Sequence, residues 1–232
     1  MTSDRTPPLP ATPCRPLILA GPPGAGKTTH GTALAQALTL PEISMGNLLR
    51  DEVRSGTALG VQIAAVLAHG DLVAIDVVEQ VLEKRLRAPD AALGFVLDGV
   101  PRRLDDAHLL ERLCDKMGLP PVPMLLLAVP DAEIVGRVAN RRVCDNQHIV
   151  DPVAHPPAQA GRCDVDGLPL RRRADDEPSV VAHRLAVYHQ ETEPVIAWYA
   201  SRGLLRRIDG VGAVDAVSRR VIEAARELWP HA

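Results

Sequence analysis

Short, fully apolar runs alternate along this chain with longer helical periods. "PLILAG" (16–21) is bounded by a proline and a glycine and has no polar position between them, which predicts a strand buried on both faces. "GFVLDGVPR" (94–102) predicts a second strand ending in a turn, "VPMLLLAVP" (122–130) a third, and "LLRRID" (204–209) a short fourth. Between them lie helical patterns: "KTTHGTALAQALTL" (27–40), Val61 to His69, Ala74 to Leu86, Asp105 to Met117, "SVVAHRLAVYHQETEPVIAWYASRG" (179–203) and "AVDAVSRRVIEAARELW" (213–229). Strands alternating with helices predict an α/β fold, a parallel sheet covered on both faces. No internal repeat is apparent.

After Arg142 the pattern breaks. "VCDNQHIVDPVAHPPAQAGRCDVDGLPLRRRADDEP" (143–178) is poor in apolar residues and rich in Pro, Gly, Asp and Arg. It is too long for an ordinary loop in a compact domain, and predicts a small inserted subdomain or lid. The opening "MTSDRTPPLPATPCRP" is polar and proline-rich, without the apolar middle of a signal peptide, and reads as a disordered leader over 1–15.

Composition narrows the function classes. Hydrophobic residues make up 46% of the 232, enough for one substantial core. Aromatics are 2%, too few for base-stacking platforms, and the net charge of −3 implies no polyanion-binding surface, so nucleic acid is not an expected partner. The longest strongly apolar run, "MLLLAV" (124–129), is far too short to span a bilayer, so no membrane association is expected. A cytoplasmic location follows as the default, with Cys14, Cys114, Cys144 and Cys163 as reduced thiols or metal ligands.

The chemistry starts at Gly21-Pro22-Pro23-Gly24-Ala25-Gly26-Lys27-Thr28, which fits G-x-x-x-x-G-K-[ST] between an expected strand and an expected helix. Glycines let successive main-chain N–H groups turn into one concavity, and the following helix N-terminus adds positive potential. Lys27 can reach terminal phosphates, and Thr28 or Thr29 can support Mg²⁺. The stretch therefore predicts a nucleotide-binding protein.

Three further stretches accompany that loop: "PEISMGNLLRDEVRSGTALG" (41–60), "GFVLDGVPRRLDDA" (94–107), and "NRRVC" (140–144) continuing to "RRRADDEPSVVAHRL" (171–185). With the loop, they make the chain resemble the adenylate kinase family of nucleoside-monophosphate kinases, from about Pro16 to the last helix. The resemblance implies a three-layer P-loop core (16–43, 74–141, 178–232), a helical acceptor-binding insertion (44–73) and a lid (142–177). It implies reversible transfer of the γ-phosphoryl group of Mg·ATP to AMP by a monomer whose partners are these small nucleotides.

Residue by residue, the resemblance implies that Gly21, Gly24, Ala25, Gly26, Lys27, Thr28 and Thr29 hold the donor phosphates, with Gly212 also on the donor side. Arg50 and Arg102 would grip the acceptor's phosphate, and Ser44, Met45, Leu72, Val73, Gly99 and Asp106 would line the acceptor. Arg137 and Arg141 would contact the donor phosphates at the lid's hinge. Arg173 and Arg184 would close over the transferring group. Asp98 would position Mg²⁺ through water, and Asp175 and Asp176 would anchor the closed lid to the arginines. The physical reading agrees. Two polyphosphates brought in line need cations that stay charged and bind bidentately, and no general base, because a phosphate oxygen is already a nucleophile.

The match has departures. Ser44-Met45-Gly46-Asn47 stands where the family usually has S-T-G-D. Asp106 stands where its adenylate kinases place a glutamine against the acceptor adenine. A carboxylate only accepts hydrogen bonds. It would face a lone pair at adenine N1 but two donors on guanine, so GMP or a pyrimidine monophosphate remains an alternative acceptor. A nucleotide-binding regulator without turnover is a third reading, which the full arginine set opposes. In the lid, Cys144, His148, Cys163 and Asp166 resemble the family's zinc site, with Gln147 in the slot of the second cysteine and His148 one residue along. Two thiolates, an imidazole and a carboxylate suit tetrahedral Zn²⁺. A metal-free lid held by hydrogen bonds is the alternative.

Overall fold

The apolar runs become the central strands of one parallel sheet. A computed structural model describes residues 15–153 and 155–228. Its five-stranded sheet has the order β2-β3-β1-β4-β7, every pairing parallel. The strands are β1 (Arg15–Ala20), β2 (Glu42–Ser44), β3 (Gly94–Asp98), β4 (Met124–Ala128) and β7 (Leu205–Asp209). Successive side chains alternate across the pleat. Ile18, Phe95, Leu97, Met124 and Leu126 therefore join one core, and Leu17, Leu19, Val96, Leu125 and Leu127 join the other.

Helices close both faces. α4 (Ile75–Leu86), α5 (Leu104–Lys116) and α8 (Glu193–Ser201) cover the first core through Leu82, Leu110 and Ile196. α1 (Lys27–Leu38), α6 (Asp131–Asn140), α7 (Pro178–Val187) and α9 (Val214–Leu228) cover the second through Leu34, Ile134, Leu185 and Val221. This is the expected α/β architecture. All five strands run in one sense, so their carboxyl ends open on one side, where the loops bearing Gly21, Asp98 and Gly210 gather.

Several elements differ from the sequence expectation. β2 was not expected, since its three residues carry no long apolar run; its Ile43 is held by pairing to Leu97 at the sheet edge. α6 was not singled out; Ile134 and Val138, one turn apart, bury its inner face. The long helical stretch 179–203 is broken at a π-helical turn, Tyr188–Thr192, just before Pro194, which has no N–H to continue the ladder. β1 begins at Arg15, inside the span read as a leader. The rest of that leader, with Cys14, lies outside the described residues.

Two further helices, α2 (Met45–Arg54) and α3 (Ala58–His69), pack on each other. The Thr57 hydroxyl caps α3 by accepting from the Gly60 N–H at 2.9 Å, and Gly70, at φ 82°, ends it. Among the described residues between 151 and 177 there is no α-helix. The segment after α6 folds as a small hairpin, β5 (Arg142–Val143) against β6 (Ile149–Val150), with Val143 also bridged to Arg171.

The α2–α3 contact depends on one missing side chain. A Cβ at Gly60 would lie 2.1 Å from the Glu52 carbonyl oxygen. Gly60→Ala is therefore expected to destabilise the protein by about 1–3 kcal/mol despite alanine's better helix propensity, as overpacking does. Urea denaturation of the variant checks this, and an unchanged or raised midpoint would contradict it.

Candidate active site

The loop between β1 and α1 is bent by its glycines. Gly24 and Gly26 take φ 83° and 90°, and a Cβ at Gly24 would lie 2.5 Å from Val138 Cγ2 on α6. The Ala25 N–H donates to the Pro22 carbonyl at 3.1 Å, which tightens the turn. Lys27 folds back, and its ammonium donates to the carbonyls of Gly21 and Pro22, both at 2.9 Å. Burial pulls its pKa down to about 8; Asp98 opposes the shift, and Arg102, Arg184 and Arg141 add to it.

Asp98 ends β3 beneath this loop and is buried. Its Oδ2 accepts from the Thr28 hydroxyl at 3.2 Å and the Ser44 hydroxyl at 3.3 Å. Its Oδ1 is buried without a hydrogen-bond partner. A carboxylate oxygen left open beside a threonine hydroxyl is the donor set of a hard divalent cation. The residues present therefore fit Mg²⁺.

The arginines converge on the same place. Arg102 donates through Nε to the Gly99 carbonyl at 3.0 Å. Arg141 forks onto Asp176, with Nε 2.9 Å from Oδ2 and Nη2 against Oδ1. Arg184 reaches Asp175 Oδ2 at 2.8 Å. Arg50 donates to Asn47 Oδ1 at 2.5 Å and to Gln147 Oε1 at 3.2 Å. Arg173 donates to Gln147 Oε1 at 3.4 Å, and its Nε is buried without a partner. Arg137 donates to the Gly210 carbonyl at 3.0 Å.

Burial, then Arg50 and Arg141, lower the pKa of Arg173 to about 9; burial chiefly lowers that of Arg184 to about 10. Arg50 and Arg102 are likewise lowered, first by burial. These cations are crowded and partly dehydrated, the condition an incoming polyanion relieves.

Two cavities meet here. The larger, about 590 Å³, is lined by Gly24, Gly26, Lys27, Thr28, Thr29, Arg137, Arg141 and Gly212. The smaller, about 380 Å³, is lined by Met45, Leu72, Val73, Gly99 and Asp106. Arg50, Arg102, Arg173 and Arg184 line both. Ser44, expected beside Met45 on the acceptor side, turns to Asp98 and lines the larger cavity instead.

Asp106 is 2% exposed and does not turn to solvent. Its Oδ2 accepts from the main-chain N–H groups of Arg102 and Arg103, both at 3.0 Å, which caps α5. Its Oδ1 accepts no hydrogen bond and lies 3.6 Å from Arg103 Nη2. Asp106 thus lines the smaller cavity with one oxygen spent on the α5 cap and the other buried beside Arg103.

In the lid segment, Cys144, His148, Cys163 and Asp166 place one ligand atom each within 4.8 Å of one another. The His148 Nδ1 lies 3.4 Å from Cys144 Sγ, 3.5 Å from Cys163 Sγ and 3.0 Å from Asp166 Oδ2, and Cys144 Sγ lies 3.2 Å from that oxygen. Tetrahedral zinc with two sulfur, one nitrogen and one oxygen ligand has edges of roughly 3.2–3.8 Å. The donor set and spacing fit Zn²⁺. The same short contacts also serve a hydrogen-bonded lid, with the Cys144 thiol donating to Asp166.

The structure adds residues the sequence did not single out. The Arg103 guanidinium donates to the Val73 carbonyl at 2.5 Å and so ties the cavity floor to the connection between α3 and α4; its signal was the doubled arginine after Pro101. His30 lines the larger cavity, held by Ser218 at 2.9 Å, and burial, helped by Arg137 and Arg220, lowers its pKa to about 4, so it is neutral. Gln147, named from the sequence only for standing in the slot of a zinc cysteine, reaches Arg50 and Arg173 from the lid.

Comparison with known proteins agrees with this geometry. The family model described as Adenylate kinase matches residues 19–204. The chain is 42% identical over 212 residues to an adenylate kinase of Streptomyces coelicolor, covering 90% of this chain and 98% of that one. It is 40% identical to one of Trichlorobacter lovleyi (91% and 99% covered) and 38% identical to one of Methanosarcina acetivorans (87% and 94%).

The buried lysine gives a test by proton counting. Phosphate beside Lys27 favours its charged form, so binding near pH 8 is expected to take up about half a proton. Affinity for a nucleoside triphosphate is expected to fall as pH rises above 8. Calorimetry in buffers of different ionisation enthalpy measures the uptake. Lys27→Met should abolish it, and uptake that survives the substitution would contradict the assignment.

Proposed function

The chain belongs to the adenylate kinase family and is an ATP:AMP phosphotransferase; from that premise we propose that ATP occupies the larger cavity and AMP the smaller. The carrying observation is that Arg50, Arg102, Arg173 and Arg184 line both cavities, so they can hold the two facing phosphates at once. An oxygen of the AMP phosphate attacks the γ-phosphorus, the bond to the β–γ bridging oxygen breaks, and two ADP result. No side chain need remove a proton. The protein's work is alignment, charge neutralisation and exclusion of water.

In this reading the main chain of Gly21 to Gly26, Lys27, Thr28 and Thr29 hold the donor phosphates, with Arg137 and Arg141 beside them and Gly212 at the far wall. Arg50 and Arg102 hold the acceptor phosphate; Arg173 and Arg184 lie over the transferring group. Asp98, with Thr28, would hold Mg²⁺, which when bound neutralises charge on the donor phosphates. The core spans 16–43, 74–141 and 178–232, with 44–73 as the acceptor-binding insertion and 142–177 as the lid. Closing both insertions shuts water out of the cleft. In this reading the protein acts as a cytoplasmic monomer on small nucleotides. Among the described residues no helix is long and apolar enough to cross a membrane.

Asp106 favours AMP over GMP in this geometry. Its Oδ2 is taken by two N–H groups, and its Oδ1, buried 3.6 Å from Arg103 Nη2, is the one oxygen without a hydrogen bond. That oxygen can accept from the adenine 6-amino group. It cannot satisfy both guanine N1–H and the 2-amino group, and an unmet buried donor costs about 1–3 kcal/mol. A coupled assay with ATP and each of AMP, GMP, CMP and UMP tests the function. AMP is expected to lead by at least about tenfold in kcat/KM, and a higher value for GMP would overturn the reading. Asp106→Asn puts a donor or a broken cap at this point, and is expected to raise KM for AMP about tenfold while leaving KM for ATP unchanged.

Zn²⁺ in the lid is part of the same proposal. Its ligands would be Cys144, His148, Cys163 and Asp166, and it would staple a segment with little apolar surface of its own. Purified protein is expected to carry about one zinc per chain, and chelation should lower the first thermal transition. Metal-replete protein without zinc would leave the hydrogen-bonded lid.

A further inference from the structure

Glu42 stands on the edge strand β2 with its side chain against α1. Its Oε2 lies 2.6 Å from the Thr32 hydroxyl oxygen, which is also 2.9 Å from the Thr28 carbonyl oxygen one turn back. Its Oε1 is buried without a hydrogen-bond partner among the described residues. The helix leaves room there with a glycine, since a Cβ at Gly31 would lie 2.8 Å from that oxygen. The carboxyl group is thus seated against α1 and linked through Thr32 to its first turn.

A count of protons decides its state. The Thr32 hydroxyl has one proton to give, and a main-chain carbonyl and a carboxylate can only accept. With Glu42 ionised, one of the two contacts holds no proton. With a proton on Oε2, the carboxyl donates to Thr32, Thr32 donates to the Thr28 carbonyl, and both contacts are hydrogen bonds. Oε1 argues the same way, because a buried oxygen without a partner costs less on a neutral carboxyl than on an ion.

The elements packed on Glu42 bring no cation to it. α1 presents Gly31 and Thr32, β3 sets Val96 in register with it and carries Asp98 two residues on, and α2, which follows β2, adds no charge. Among the described residues Asp98 is the one charged group that acts on it. Burial raises the Glu42 pKa to about 7; the Thr32 hydrogen bond opposes the shift and Asp98 adds to it.

Both ends of this relay reach the donor side of the cleft. Thr28 follows Lys27, and its hydroxyl donates to Asp98 Oδ2. Ser44, two residues beyond Glu42 on β2, donates to the same oxygen. Glu42 and Thr32 therefore join the strand and the helix that together grip Asp98.

We propose that Glu42 is a positioning residue of the donor site that acts as a neutral acid: its proton is held by Thr32 and the Thr32 proton by the Thr28 carbonyl, so that β2 and the first turn of α1 are fixed together where the phosphates of ATP are received. Loss of the Glu42 proton to solvent leaves Thr32 with two acceptors for one hydrogen and breaks the relay. The proposal rests on the reading of the larger cavity as the ATP site.

Glu42→Gln keeps a donor for Thr32 and cannot ionise. The folded pKa lies above the ordinary 4.5, so the folded protein keeps a proton that the unfolded chain loses, and wild-type stability falls as pH rises from about 4.5 to about 7. The melting temperature of Glu42→Gln relative to the wild type is therefore expected to climb between about pH 5 and about pH 8. The ratio of the wild-type KM for ATP to that of Glu42→Gln is expected to grow about three- to tenfold over the same range, and Lys27 cancels because both proteins carry it. Glu42→Ala, which breaks the relay, should raise KM for ATP about three- to tenfold near pH 6 while KM for AMP holds, and Glu42→Gln should restore it. A melting difference that does not change with pH overturns the neutral acid. A Glu42→Ala variant with a shifted melting temperature and an unchanged KM for ATP, or with equal shifts for both nucleotides, overturns the positioning role while leaving the kinase reading standing. Wild-type protein that transfers no phosphate from ATP would overturn both.

Discussion

Crowded, buried positive charge is the constraint on which this structure turns. Lys27, Arg50, Arg102, Arg141, Arg173 and Arg184 surround one cleft, with Asp98, Asp175 and Asp176 among them. Burial lowers the pKa of Lys27, Arg173 and Arg184, neighbouring arginines add to the shift, and Asp98, Asp175 and Asp176 offset part of it. Such a cluster costs stability until anions arrive. Two nucleotides with their phosphates in line supply those anions, so substrate binding brings the counter-charge that these buried cations favour.

The rest of the fold holds that cluster in place. The parallel sheet gathers the Gly21 loop, Asp98 and Gly210 at the carboxyl ends of β1, β3 and β7. The insertions bring further charges from outside the sheet, Arg50 on α2 and Arg173 after the lid hairpin, and α7 of the core adds Arg184. Asp175 and Asp176 each bind one arginine and so decide where the segment following the lid can settle. The carboxylates thus serve geometry, while the unmet cations serve binding.

Much of the fold could be read from the sequence, because β1, β3 and β4 are apolar at nearly every position and only a sheet buried on both faces asks for that. β2 escaped, since three residues at a sheet edge are fixed by pairing with β3 and not by their own pattern. The break at Tyr188–Thr192 was marked only by Pro194 in an otherwise continuous helical period. In the site, motif spacing indicated the loop lysine, Asp98 and the arginines. It could not show that Ser44 faces Asp98, that main-chain N–H groups consume one oxygen of Asp106, or that Gln147 crosses from the lid. Those facts depend on side-chain direction and on contacts between segments about a hundred residues apart, such as Arg50 with Gln147.

The central claim is that the cleft's cations are kept at the expense of stability for the sake of phosphate. Arg173 states it most sharply, with a buried Nε that has no partner and a pKa lowered to about 9. Urea denaturation and turnover of Arg173→Met, measured side by side without nucleotide and with it, test the claim directly. The nucleotide-free variant is expected to be more stable than the wild type by about 1 kcal/mol, while phosphoryl transfer falls by at least about a hundredfold. A variant that is less stable than the wild type, or that keeps its turnover, contradicts the account.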